Sequence, residues 1–120
     1  MTAPPTPPRG VVLHLTSPQT WAQAVADGTF TESTLGRILA EEGFIHCCDP
    51  DQLDFVLTTF YADVPHDLLL LTIDPELLES PLLREVGNPE TGEEFPHIHG
   101  PLNPSAVVAT TVIHPPHSRP

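Results

Sequence analysis

Apolar positions along the chain follow two periods, and the period changes wherever serine, proline or glycine intervenes. Val11-Val12-Leu13-His14-Leu15 is a β-branched and aliphatic run and predicts a first strand. Ser17-Pro18 then supplies an N-cap and a first helical position; Trp21, Ala24 and Val25 recur at helical spacing, and Gly28 marks the stop. Residues 31–42 carry Leu35, Ile38 and Leu39, which suggest a short helix that Gly36 weakens and Gly43 ends. Residues 44–47 read as a short strand. Asp49-Pro50 repeats the cap-plus-proline signature and launches a helix over 52–61, with Leu53, Val56, Leu57 and Phe60 on one face. The continuous aliphatic run 68–73, closed by Asp74-Pro75, predicts a strand buried on both faces. Beyond it come one helical turn at 75–79, a short strand at 82–86, an acidic turn at 88–94 containing Gly92, and strands at 95–99 and 106–113.

This order is mixed, and it predicts an α+β fold with helices packed on a small, strongly twisted sheet. No glycine-rich phosphate loop follows any strand, which disfavours a Rossmann-type site. The length suits one domain, expected over 10–114. Residues 1–9 hold four prolines and 115–120 hold three. Neither stretch has the apolar content to offset its ordering entropy, so both are expected to be disordered tails.

Sixteen acidic residues face four arginines (Arg9, Arg37, Arg84 and Arg119) and no lysine, for a net charge of −12. The missing lysine removes Schiff-base chemistry and the P-loop. The acidity repels a long phosphate backbone and an anionic membrane alike, although Arg84, Arg37 or backbone N–H groups can still hold one small anion. No run approaches the ~20 apolar residues of a membrane span, and the N-terminal residues do not read as a secretory signal. Cys47 and Cys48 are adjacent, so a disulfide between them is disfavoured. Reduced thiols in a cytoplasmic protein are expected.

The chemistry concentrates in Gly43-Phe44-Ile45-His46-Cys47-Cys48 and Phe95-Pro96-His97-Ile98-His99-Gly100-Pro101-Leu102, with His14 in the first strand. Imidazoles in partly buried strands are costly without partners, so a histidine-lined cleft assembled across a sheet is the sharpest expectation. His46, Cys47, Cys48, His97 and His99 offer potential zinc ligands. Zinc sites usually space their ligands two to four residues apart, however, and the two adjacent thiols diverge on a strand, so no metal is expected. Cys48 lies before the Asp49 cap, yet no basic residue is near in sequence to activate it. Carboxylates such as Glu85 or Glu94 are available to steady a developing cation beside His46, His97 and His99.

These residues carry a resemblance. A first-strand histidine (His14), then Trp21, then Glu42-Gly43-Phe44-Ile45-His46, and finally the Phe95 to Leu102 segment resemble the bacterial family known as domain of unknown function 952. The resemblance spans about 11–112. This chain has His99 where the family usually has tyrosine and Cys48 where serine is usual, and it lacks the tryptophan usual between Arg84 and Glu85. The resemblance implies a fold similar to ADP-ribosyltransferases and RNA 2′-phosphotransferases, with small split sheets, two to three packed helices and a cleft for NAD or ADP-ribose. It implies His14 as a ribose contact and His46 on the nicotinamide side. Thr16, Trp21, Phe44 and Arg84 join the expected ligand set. A carboxylate, Glu85 or Glu94, takes the cation-stabilising role, with His46, His97 and His99 as the other catalytic candidates.

The expected activity is binding of a nucleotide-type small molecule, with NAD as cofactor, and ribosyl transfer or glycosidic cleavage. Two alternatives stay open at this point. One is a small metabolic or biosynthetic enzyme using histidine acid–base catalysis on another substrate. The other is a non-catalytic binding module.

Overall fold

In the computed structural model, which describes residues 10–117, the first apolar run forms β1 (Val12–Thr16). Ser17 caps α1 (Pro18–Asp27), its Oγ accepting the Thr20 N–H at 3.1 Å, and Gly28 ends the helix. Residues 31–42 are not one short helix but a hairpin of β2 (Glu32–Thr34) and β3 (Arg37–Ile38), and only then a single helical turn, α2 (Leu39–Glu42). Gly36 makes the turn at φ +76°, a conformation side-chain-bearing residues rarely adopt. The buried Ser33 hydroxyl donates to the Phe44 carbonyl, tying the hairpin to β4 (Ile45–His46).

Asp49-Pro50 opens a 3₁₀ turn over Pro50–Gln52 that runs into α3 (Leu53–Phe60). The aliphatic run becomes β5 (Leu68–Ile73), and a 3₁₀ turn at Pro75–Leu77 follows. The hairpin β6 (Leu82–Asn88) and β7 (Glu93–Ile98) comes next, and β8 (Val107–Ile113) closes the fold.

Two three-stranded antiparallel sheets result, β1-β5-β8 and β4-β7-β6, with β5 and β7 central. Their backbones pair at a single place. Leu13 N–H donates to Cys48 O at 2.8 Å and Cys48 N–H to Leu13 O at 2.9 Å, and this bridge is isolated. One side of the resulting split layer carries Val12, Leu69, Leu71 and Ile73 from the first sheet and Ile45 and Ile98 from the second. With Ala24 of α1, Phe30, Cys47, Leu102 and Ala106 these make the main core. The opposite side carries Leu13, Leu15 and Leu68, covered by Leu53, Val56 and Leu57 of α3 together with Tyr61, Cys48 and Phe95.

Phe60, expected on the buried face of α3, is 66% exposed. Leu53, Val56 and Leu57 fill that face before the helix ends, and Tyr61, one residue on, takes the buried aromatic place. Of the expected tails, 1–9 and 118–120 lie outside the described residues. Residues 115–117 lie within them: His117 is buried, its Nε2 donating to the His66 carbonyl at 2.9 Å. Among the described residues no helix is long and apolar enough to cross a membrane.

Gly100 follows β7 at φ +147°, and a Cβ there would stand 2.5 Å from Ser80 Oγ, whose hydroxyl donates to Pro101 O at 2.7 Å. Gly100→Ala is expected to destabilise by about 2 kcal/mol through strain and the displaced hydroxyl, measured by urea unfolding.

Candidate functional site

The site begins where the two sheets part. Next to the Leu13–Cys48 bridge, the place of a further rung between β1 and β4 is taken by the imidazole of His14, whose Nδ1–H donates to the His46 carbonyl. A carbonyl only accepts, so the proton sits on Nδ1 and Nε2 is left as a bare acceptor. Nε2 is buried and has no partner among the described residues. His14 is 2% exposed, and burial lowers its pKa to about 4, which keeps the ring neutral at physiological pH. Phe30 supports the ring edge-to-face, with centroids 5.3 Å apart at 79°.

On the second sheet the register decides what converges. His46 pairs with His97, Leu83 with His97, and Glu85 with Phe95. Directly opposed antiparallel residues share a face, so His46, His97, Glu85 and Phe95 all project to one side. Phe44 lies against this row. Its ring stacks on His97 (centroids 4.1 Å apart, 21°), meets His46 edge-on at 4.7 Å and lies 5.5 Å from His99. Glu85 Oε1 accepts from His97 Nδ1 at 2.8 Å and from His99 Nε2 at 2.7 Å. The hydrogen bonds from His99 and His97 hold the Glu85 carboxyl below its ordinary pKa, and burial pushes His97 down despite the neighbouring carboxylate.

A cleft of about 600 Å³ opens between α3 and the two sheets. Its walls are mainly apolar (Leu13, Leu15, Val56, Phe95), and His14, His46, His97, Thr34 and Tyr61 supply polar groups. The Thr34 hydroxyl and the Tyr61 phenol lie 3.1 Å apart at one side. Among the described residues no arginine lines this cleft. Cys48 does, but burial, with the Asp49 and Asp51 charges adding to it, raises its thiol to about 12; burial also raises Cys47, inside the main core. Neither is a thiolate nucleophile at neutral pH.

Of the residues singled out in the sequence, His14, Phe44, His46 and His97 line the cleft together. Glu85 and His99 join them through His97. The others lie elsewhere. Thr16 donates to Glu32 Oε1 at 2.7 Å, and Trp21 packs against the main core, 6.1 Å from the Phe30 ring. Arg84 is held bidentately by Asp49 at 2.6 and 2.9 Å. Glu94 pairs opposite Val86 and so projects away from Glu85, while its carbonyl accepts from Gln52. Sequence reasoning did not find Tyr61 and Thr34 as a cleft pair. The contact of Glu85 with both histidines was hidden too, because it depends on hairpin register.

The chain is thus a small α+β domain of antiparallel sheets and few helices, with a histidine-walled cleft beside the junction of its sheets. Residues 15–110 match the family described as "Protein of unknown function (DUF952)", and the chain belongs to that family. It is similar to the crystal structure of protein CC0527 from Caulobacter crescentus, at 26% identity and a TM-score of 0.71, covering 85% of this chain and 84% of that one. The solution NMR structure of the same protein is similar at 24% identity and a TM-score of 0.63, covering 87% and 84%. No curated protein matches.

Proposed function

We propose that this is an ADP-ribosyltransferase-like split-sheet domain whose cleft binds a nucleotide-type small molecule of the NAD or ADP-ribose class by its nucleoside end. The observation that carries the reading is His14 Nε2, a neutral, buried acceptor with no partner among the described residues, in a residue that lines the cleft. An orphaned buried acceptor costs ~1–3 kcal/mol, which a ligand hydroxyl returns on donating to it. A ribose brings such hydroxyls, and the stack of Phe44 on His97 offers an aromatic wall for a base or nicotinamide ring. With no arginine among the described residues of the cleft walls, the phosphates contribute little on this reading, and the nucleoside part supplies the affinity.

Calorimetry and thermal shift with nicotinamide riboside, adenosine, ADP-ribose and NAD test this. A nucleoside and its dinucleotide are expected to bind with affinities within about threefold of each other. At ~100 times Kd the gain in stability is about 2.7 kcal/mol. Tyr61→Phe and Phe44→Ala should weaken binding, with the native fold checked by circular dichroism. Absence of any shift with all four ligands sinks the proposal.

One observation favours a binding module over a transferase. Glu85 Oε1, the carboxylate oxygen nearest the histidines, already accepts two imidazole N–H groups. On this reading NAD is recovered intact after long incubation, whereas release of nicotinamide restores the transferase.

A further inference from the structure

Apart from the buried floor at His14, one group of side chains has a chemistry of its own. Glu85 on β6, His97 on β7 and His99 just beyond β7 each present one donor atom, and the three atoms lie within 4.8 Å of one another. Among the described residues no other set of three histidine, cysteine or acidic side chains comes so close. The remaining histidine–carboxylate contacts are exposed pairs, His114 with Asp67 at 2.8 Å and His46 with Glu42 at 3.4 Å.

We propose that Glu85 Oε1, His97 Nδ1 and His99 Nε2 are the protein ligands of a zinc-type divalent metal ion whose remaining coordination positions are open to solvent.

Four features support this. First, two imidazole nitrogens and one carboxylate oxygen are the donor set of catalytic zinc and of facial-triad iron sites, which keep positions free for water or substrate. Second, the separations are close to those required. Metal–ligand bonds of about 2.0–2.2 Å put donors roughly 3–3.5 Å apart, and Glu85 Oε1 now stands 2.8 and 2.7 Å from the two nitrogens. A small outward movement of one carboxylate makes room for the ion. Third, the ligands are held in place, because Glu85 and His97 belong to paired strands and Phe44 stacks flat on the His97 ring at 4.1 Å. Fourth, a chain of net charge −12 concentrates cations near its surface.

Ligand spacing within the histidine and cysteine segments disfavours zinc held by those residues alone. Cys47 and Cys48 are buried thiols, and the third ligand comes from the neighbouring strand instead. The site stands without the nucleoside reading.

The test uses the untagged full-length chain, freed of metal with a chelator and titrated with Co2+ alone, followed by visible absorption and equilibrium dialysis. One Co2+ per chain is expected, displaced by Zn2+. Glu85→Gln, which keeps an acceptor for both imidazoles, and His99→Ala should each weaken binding by about tenfold or more, while His114→Ala leaves it unchanged. Imidazole NMR of the unmodified protein gives a readout independent of any variant: Zn2+ should shift His97 and His99 and leave His66 and His114 in place. Failure to bind below about 100 µM overturns the proposal. So do Glu85→Gln and His99→Ala chains that bind like the parent, or NMR shifts confined to other histidines.

Discussion

His14→Ala is expected to lower folding stability by about 3–4 kcal/mol at pH 7.5. The substitution leaves a cavity beside Phe30 and strands the His46 carbonyl that Nδ1 now satisfies, both in a region almost closed to water. Its pH dependence separates this from ordinary core loss. The native imidazole titrates near 4 and the unfolded one near 6.5. Between those values the unfolded chain binds the extra proton, so the contribution of His14 is full above pH 6.5 and drains away as pH falls toward 4. One such group accounts for roughly 3 kcal/mol over the window. His97 and Glu85, both shifted down, steepen the curve of the parent protein in the same sense, while Glu32, shifted up by burial, opposes it. Urea unfolding at pH 7.5 and 4.5 should therefore show the gap between parent and variant narrowing to about 1 kcal/mol at the lower pH. A gap of equal size at both values refutes a neutral, buried His14.

Phe30→Ala should be comparably damaging, at about 4 kcal/mol. Phe30 is 1% exposed, and its backbone exchanges two 2.9 Å hydrogen bonds with Leu102. Its ring lies against both His14 and Trp21. It thus links the end of α1, the segment that leads from β7 to β8 and the imidazole of His14. Phe30→Leu keeps most of the volume and should lose no more than about 1.5 kcal/mol. Because Phe30 and His14 touch, the double alanine variant should fall short of the sum by about 1 kcal/mol in denaturant melts, and strict additivity refutes the coupling.

What could be read from the chain depended on how local each cause was. Ser17-Pro18 and Asp49-Pro50 open helical segments because cap and ring act on their immediate neighbours, and the run at 68–73 is the central strand its two-sided hydrophobicity predicts. Leu35, Ile38 and Leu39 mimic helical spacing, but Gly36 is a turn between two strands, and tertiary pairing with the Phe44 segment outweighed a weak periodic signal. Phe60 failed for a similar reason: a periodic face is buried only as far as the neighbouring strands fill it.

Site residues followed the same rule. The strand-borne His14, His46 and His97 stood out as imidazoles in apolar stretches. Glu85 was one of two acids with equal claims until hairpin register put it beside His97 and His99, and Glu94 on the other side. The orphaned Nε2 of His14 is invisible in any one-dimensional reading, because it depends on the carbonyl of a residue 32 positions away.

The junction of the two sheets carries a mechanical consequence. Within the first sheet β1 and β8 are each laced to β5 over at least five residue pairs, but the two sheets are tied by one amide pair, Leu13 with Cys48, and by the His14 Nδ1–H bond to the His46 carbonyl. The main core glues both sheets on the side away from the cleft. Turning one sheet against the other therefore breaks fewer backbone hydrogen bonds at this junction than parting any two strands of the first sheet.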